Sequence, residues 1–217
     1  MSTSSEEDFT IKQIVKRIKE TDLIPSLEIL KSCIDEYMKT LEKEGVKNLA
    51  GLRKLLKNKA KLAGIAEKTS LDEQMLILLR REIEGWIPKP VKLVEFTWID
   101  TKILEALEEE GIYTSHDFLN SLSIKDTKKA LLKKTGIDEK KVKDLENLCA
   151  LMNIRWISPN FARIIHELGF TPESLCSADA QKLTLQIDAY NKEKGYYKGK
   201  VGGRDIKRLI FESAWQS

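Results

Sequence analysis

Residues 153–170, NIRWISPNFARIIHELGF, decide how the rest of the chain is read. Ile157, Phe161, Ile165 and Leu168 recur at intervals of three and four, which places them on one face of an α-helix and marks Phe161 as core. Gly169 follows the last apolar residue, as expected of a left-handed cap that a Cβ would disfavour. The stretch therefore predicts a helix with one apolar face that ends at a glycine cap.

The same layout occurs twice more, in SCIDEYMKTLEKEGV from Ser32 and WIDTKILEALEEEGI from Trp98. Each segment ends in glycine and an apolar residue: Gly45-Val46, Gly111-Ile112, Gly169-Phe170. Trp98 precedes Gly111 by 13 positions and Trp156 precedes Gly169 by the same 13, so the two segments align without a gap. Ile99, Ile103 and Leu107 then match Ile157, Phe161 and Ile165, with Cys33, Tyr37 and Leu41 as a looser third set, Tyr37 being core. Equivalent places in the repeat assign Trp98 and Trp156 to packing between helices.

A second short helix follows each glycine, in NLAGLRKLL, TSHDFLNSL and TPESLCSA, with Thr114 or Ser115 and Thr171-Pro172 suited to its start. Gly64 and Gly136 are expected each to open a further helix. DFTIKQIVKRIKETD predicts an amphipathic first helix behind a polar tail. The two prolines of GWIPKPVKLVEFT bar a continuous helix and mark an internal boundary. No sustained alternation predicts a sheet. The expected fold is all-α, built of tandem repeats of short helices and elongated or two-lobed. Residues 1–21 form a tail and helix, 22–90 the first unit, and 91–217 the second and third.

The composition fits this fold and excludes several functions. Of 217 residues 41% are apolar and 33% charged, with only 5 prolines, as expected of much solvated helix surface. Cys33, Cys149 and Cys176 are odd in number and lie among apolar residues, which predicts free thiols in a reducing compartment. No apolar run is long enough to span a membrane and the N-terminus is polar, so the reading is a cytoplasmic protein without membrane contact. His116 and His166 are the only histidines and have no partner at metal-ligand spacing. Glu105, Glu108, Glu109 and Glu110 read as a solvated helix face. The expectation is a non-enzyme with no catalytic residue, no metal and no cofactor.

Short helices joined by tight turns and followed by glycine-apolar caps resemble tandem helix-hairpin-helix units. The array from Ser32 to Gln216 is similar to domain-of-unknown-function family 4332, whose members carry such hairpins in series. The hairpin turn of that type reads Gly-apolar-Gly, often with Pro next and a small residue later. Trp156-Ile157-Ser158-Pro159-Asn160-Phe161-Ala162 keeps the apolar residue, the Pro and the Ala, and replaces both glycines. Trp98-Ile99-Asp100 departs further, and Ser32-Cys33-Ile34 is barely recognisable. In a working hairpin the glycines allow close backbone approach to a phosphate at a helix start. Trp156 obstructs that approach and Asp100 sets a carboxylate in its way, so the resemblance implies the fold more strongly than phosphate binding through these turns.

Charge points to another surface. The net charge is only +3, from 37 basic and 34 acidic residues, yet Gly51–Lys68, Lys125–Lys143 and Lys192–Arg208 each carry a net +5. Runs that recur with the repeat would, on one side, form a stripe able to follow a phosphate backbone. Read singly, they are solvated helix faces. The candidate nucleic-acid-binding residues are Lys128, Lys129, Lys133, Lys134, Arg155, Tyr196, Tyr197, Lys198, Lys200 and Arg204. Tyr196 and Tyr197 are of the type that stacks on bases, and Gly202-Gly203 lead into a helix start near Arg204 or Asp205. This is no P-loop, because the Gly-Lys-Ser/Thr ending is missing. Two functions remain open: weak sequence-independent binding of DNA or RNA, and a protein-interaction scaffold that kept the hairpin fold and lost phosphate recognition.

Overall fold

The computed structural model describes residues 6–123 and 125–215, with side chains described outside 124–129. Among these residues the secondary structure is helical, and the only extended pairing is two isolated bridges, Thr10 with Asn48 and Lys92 with Thr114. The all-α expectation holds. The chain divides into two compact units between Ile87 and Pro88, inside the proline-bearing segment.

In the first unit, α1 (Ile11–Glu20) begins at a capping box. Thr10 Oγ1 accepts from the Gln13 amide and the Gln13 side chain accepts from the Thr10 N–H. Ile11, Ile14 and Ile18 face inward, and α1 packs on α2 (Leu30–Lys43), which buries Leu30, Ile34, Tyr37, Met38 and Leu41. α3 (Leu49–Leu55), α4 (Lys59–Thr69) and α5 (Glu73–Glu84) start at Asn48, Asn58 and Asp72, whose side chains accept backbone N–H groups. Trp86 lies fully buried against Phe9, with its indole N–H donated to Glu82 Oε1 at 2.9 Å. Burying a side chain of that size contributes about 2–3 kcal/mol.

The second unit contains α6 (Thr101–Glu109), α7 (Ser115–Ser123), α8 (Lys125–Thr135), α9 (Glu139–Leu151), α10 (Pro159–Glu167), α11 (Pro172–Leu175), α12 (Ala180–Lys194) and α13 (Gly203–Ser213). Phe96, Phe118, Leu151, Ile154, Ile164, Ile165 and Ile206 are among its fully buried side chains. Thr114 and Asp117 cap α7 reciprocally, and Thr171 with Pro172 opens α11. Of the expected inward face of α10, Ile157, Phe161 and Ile165 are buried and Leu168 packs at the edge of the core.

Gly45, Gly111 and Gly169 adopt φ of 89°, 75° and 86° at the ends of α2, α6 and α10, as the cap reading requires. Gly64 departs from expectation: it lies exposed within α4 and opens no helix. The left-handed residue that closes α4 is Ser70, with φ of 58°. Ser70-Leu71-Asp72-Glu73 thereby matches Gly136-Ile137-Asp138-Glu139, and both aspartates cap the next helix. Apart from Trp156, the left-handed residues fall in pairs, 45 with 70, 111 with 136, and 169 with 195. Each pair brackets two helices and precedes a third.

Candidate nucleic-acid interface

The turn between α9 and α10 is closed by the Ile157 N–H donating to the Ile154 carbonyl at 3.3 Å, with Arg155 and Trp156 at its centre. In the type II form of such a turn the third residue takes positive φ, a place that favours glycine. Trp156 fills it at φ of 70°. A side chain there costs about 1–2 kcal/mol. A left-handed conformation that favours glycine is therefore held here by a tryptophan. Ser158, at the second glycine position, has φ of −93° and needs no glycine; its hydroxyl accepts from the Phe161 amide to cap α10.

This geometry corrects the packing role expected for Trp156. The left-handed turn leaves the residue 54% exposed, with Arg155 at 4.4 Å and Arg208 at 5.9 Å from the ring centroid. Trp98, its counterpart in the alignment, does pack, edge-on to Phe96 at 5.6 Å. Arg155 itself is not displayed for phosphate contact. Its side chain is 12% exposed and its guanidinium stands 4.0 Å from the buried Glu212 carboxylate. Its charge is offset within the fold.

The loop over 195–202 is built more firmly than its composition indicates. Gly195 closes α12 in the left-handed conformation, and Asn191 then holds Tyr197 through both backbone groups. The Tyr197 ring meets Phe161 of α10 at 5.5 Å, and a Cβ on Gly199 would come within 2.5 Å of that ring, so the chain crosses it as glycine. Tyr196 lies beneath the Arg163 guanidinium at 3.8 Å and against Tyr190 at 6.4 Å. Both tyrosines are half-buried and pack against these neighbours. Lys198, Lys200 and Arg204 are exposed.

The start of α13 is occupied by the chain's own carboxylate. Gly202 is the N-cap, and its N–H donates to Asp205 Oδ2 at 2.9 Å. That negative charge sits where an anion would be attracted, so the helix start does not by itself make a phosphate site. Beside it a groove of about 410 Å³ runs between α12 and α13, lined by Gln181, Thr184, Leu185, Gly203, Arg204 and Lys207. On α8, Lys133 and Lys134 are exposed, and Lys134 Nζ stands 2.8 Å from Glu110. Lys128 and Lys129 lie outside the residues whose side chains are described.

Glu167, Tyr190, His116 and His166 have structural partners. Burial opposes charge on Glu167, but hydrogen bonds from Tyr190 and Arg163 hold its carboxyl below the usual range. The same bond to Glu167 pushes the Tyr190 phenol up. His116 Nε2 meets Asn153 Oδ1 at 3.1 Å, and His166 Nδ1 meets Asn147 Nδ2 at 2.9 Å. Among the described residues no three His, Cys, Asp or Glu side chains gather at a metal-binding site, and no helix is long and apolar enough to cross a membrane.

The class of protein is thus, among the described residues, an all-helical chain of two compact units. The model of a domain of unknown function, DUF4332, matches residues 99–214, more than half of the chain, and the protein belongs to that family. No curated protein and no solved structure matches it.

Proposed function

We propose that this chain is a non-enzymatic helix-hairpin-helix module that binds DNA or RNA weakly and without sequence preference. The observation that carries the reading is the pinned 195–202 loop: Asn191, Gly199 and Phe161 hold Tyr197 in place, so exposed Lys198 and Lys200 are presented from an ordered segment. Arg204 at the start of α13 extends this basic edge. Ordered lysines release phosphate counterions at a lower entropic cost than lysines on a disordered tail. The recurring left-handed pairs and the glycine-like turn at Trp156 support the hairpin reading of the scaffold. The free thiols agree with a cytoplasmic setting.

Affinity measured against salt is the test. Binding should fall steeply as salt rises. Reversal of Lys133, Lys134, Lys198 and Arg204 to Glu should weaken it alike on all sequences, lowering the duplex salt slope by about 0.9 for each phosphate no longer neutralised. No detectable binding of DNA or RNA at low salt sinks the reading.

A protein-interaction scaffold is the second reading, favoured by exposed Val94 and Tyr113, which lie in two segments joined by the Leu93 N–H to Tyr113 carbonyl bond of 2.9 Å. A stoichiometric protein partner that survives nuclease treatment would support it.

A further inference from the structure

We infer that Trp156 is a stacking platform for an unpaired nucleobase, so that the surface prefers single-stranded or locally unpaired nucleic acid over intact duplex. The inference rests on the nucleic-acid reading above and names its substrate class. Trp156 occupies a left-handed turn position in which glycine carries no steric cost, and more than half of it faces solvent. Neither the backbone nor the core accounts for an indole there. A strained, exposed side chain kept against both preferences points to use of the side chain itself. The ring is also supported: Arg155 lies 4.4 Å from its centroid and is held in turn by the buried Glu212 carboxylate at 4.0 Å, while Arg208 approaches to 5.9 Å.

An indole kept at one orientation by a guanidinium offers a flat apolar face at small ordering cost, which suits the flat face of a base. The exposed cations nearby in the fold suit the backbone that carries the base. The Tyr197 ring against Phe161 ties the Lys198–Lys200 loop to the first turn of α10, directly after the Trp156 turn. In duplex DNA the base faces are stacked and closed to such a ring, so contact there is limited to phosphates.

The experiment uses the full chain, a dye-labelled oligo(dT) of about 20 nucleotides, and a duplex of equal length at the same low salt. Trp156→Gly suits the turn backbone and Trp156→Phe keeps an aromatic face; circular dichroism and thermal melts verify that both fold. Tighter binding of oligo(dT) than of duplex is expected, with quenching of tryptophan emission that Trp156→Gly removes. Trp156→Gly should lose about tenfold in oligo(dT) affinity, the effect of one stacked base, with duplex affinity changed by less than about twofold and Trp156→Phe in between. Unchanged oligo(dT) affinity or persistent quenching in Trp156→Gly overturns the inference, as does duplex bound as tightly as oligo(dT); each leaves the nucleic-acid reading standing. Loss of a nuclease-resistant protein partner in Trp156→Gly, with oligonucleotide binding intact, assigns the ring to a protein surface and also overturns it. Absence of all nucleic-acid binding overturns both readings.

Discussion

Asn191 grips Tyr197 at both backbone groups: its Nδ2 donates to the Tyr197 carbonyl at 2.7 Å, and its Oδ1 accepts the Tyr197 N–H at 2.8 Å. The side chain thus substitutes for secondary structure where the chain leaves α12, and it turns a glycine-rich lysine loop into an ordered edge. Replacement by alanine leaves two partly buried backbone groups to find water. Asn191→Ala should cost about 1–3 kcal/mol and raise hydrogen exchange at the Tyr197 amide. Nucleic-acid affinity should fall without any charge being removed; unaltered exchange at Tyr197 would show that the clasp does not order the loop.

Gly199 and Gly64 should respond oppositely to alanine. A methyl at Gly199 meets the Tyr197 ring, whereas Gly64 is a helix-interior position with open space around its missing Cβ. Gly199→Ala should destabilise by about 1–3 kcal/mol through displacement of the ring. Gly64→Ala should stabilise by about 0.5–1 kcal/mol, because glycine loses more backbone freedom in a helix. Chemical denaturation of the two variants checks both signs.

Ser70 and Gly136 offer a reciprocal exchange. Both are left-handed, at φ of 58° and 64°, and both precede an aspartate cap. Ser70→Gly should raise stability by up to about 1 kcal/mol by relieving the Cβ, and Gly136→Ser should lower it by about 1 kcal/mol. Shifts of the same sign in the two melts would contradict this account.

Glu167 and Tyr190 should shape opposite ends of the stability profile. The folded Glu167 carboxyl lies below its usual range, so its stabilising contribution is present above the unfolded value, about 4, and is lost as pH falls through the folded value. The folded Tyr190 phenol lies above its usual range, so its contribution is present below about 10 and is lost as pH rises through the folded value. Thermal midpoints across pH should therefore flatten on the acid side in Glu167→Gln and on the alkaline side in Tyr190→Phe. An acid limb identical in Glu167→Gln and the parent would remove Glu167 from this role.

Thiol labelling of the folded protein should separate the three cysteines. Cys149 is fully buried and burial pushes its thiol up, whereas Cys33 and Cys176 are partly exposed. Alkylation at neutral pH should modify Cys33 and Cys176 and reach Cys149 only on unfolding, since the thiolate is the reacting form. Mass spectrometry of the labelled peptides reads the order directly.

Much of the architecture was legible because helices write a local code. Spacing placed Phe161 and Ile165 in the core, glycine placed the left-handed ends of α2, α6 and α10, and Thr114 and Thr171 marked helix starts. Where the code has synonyms it misled. Gly64 carried the glycine signal in its segment, while a serine took the left-handed place at position 70. Gapless alignment paired Trp98 with Trp156, yet sequence carries no signal that one turn points its indole inward and the other outward.

The candidate site shows the same division. Sequence by itself determined the family, and also the helical class and the clustering of charge along the chain, because those two depend on neighbours within a turn or two of helix. Only tertiary structure decided which of those groups face outward. Tyr196 and Tyr197 are drawn inward by Arg163 and Phe161, Arg155 is claimed by Glu212 from a helix more than fifty positions away, and Trp156 is left in solvent. The physical reason is that a side chain's availability depends on what packs over it, and those partners come from distant parts of the chain.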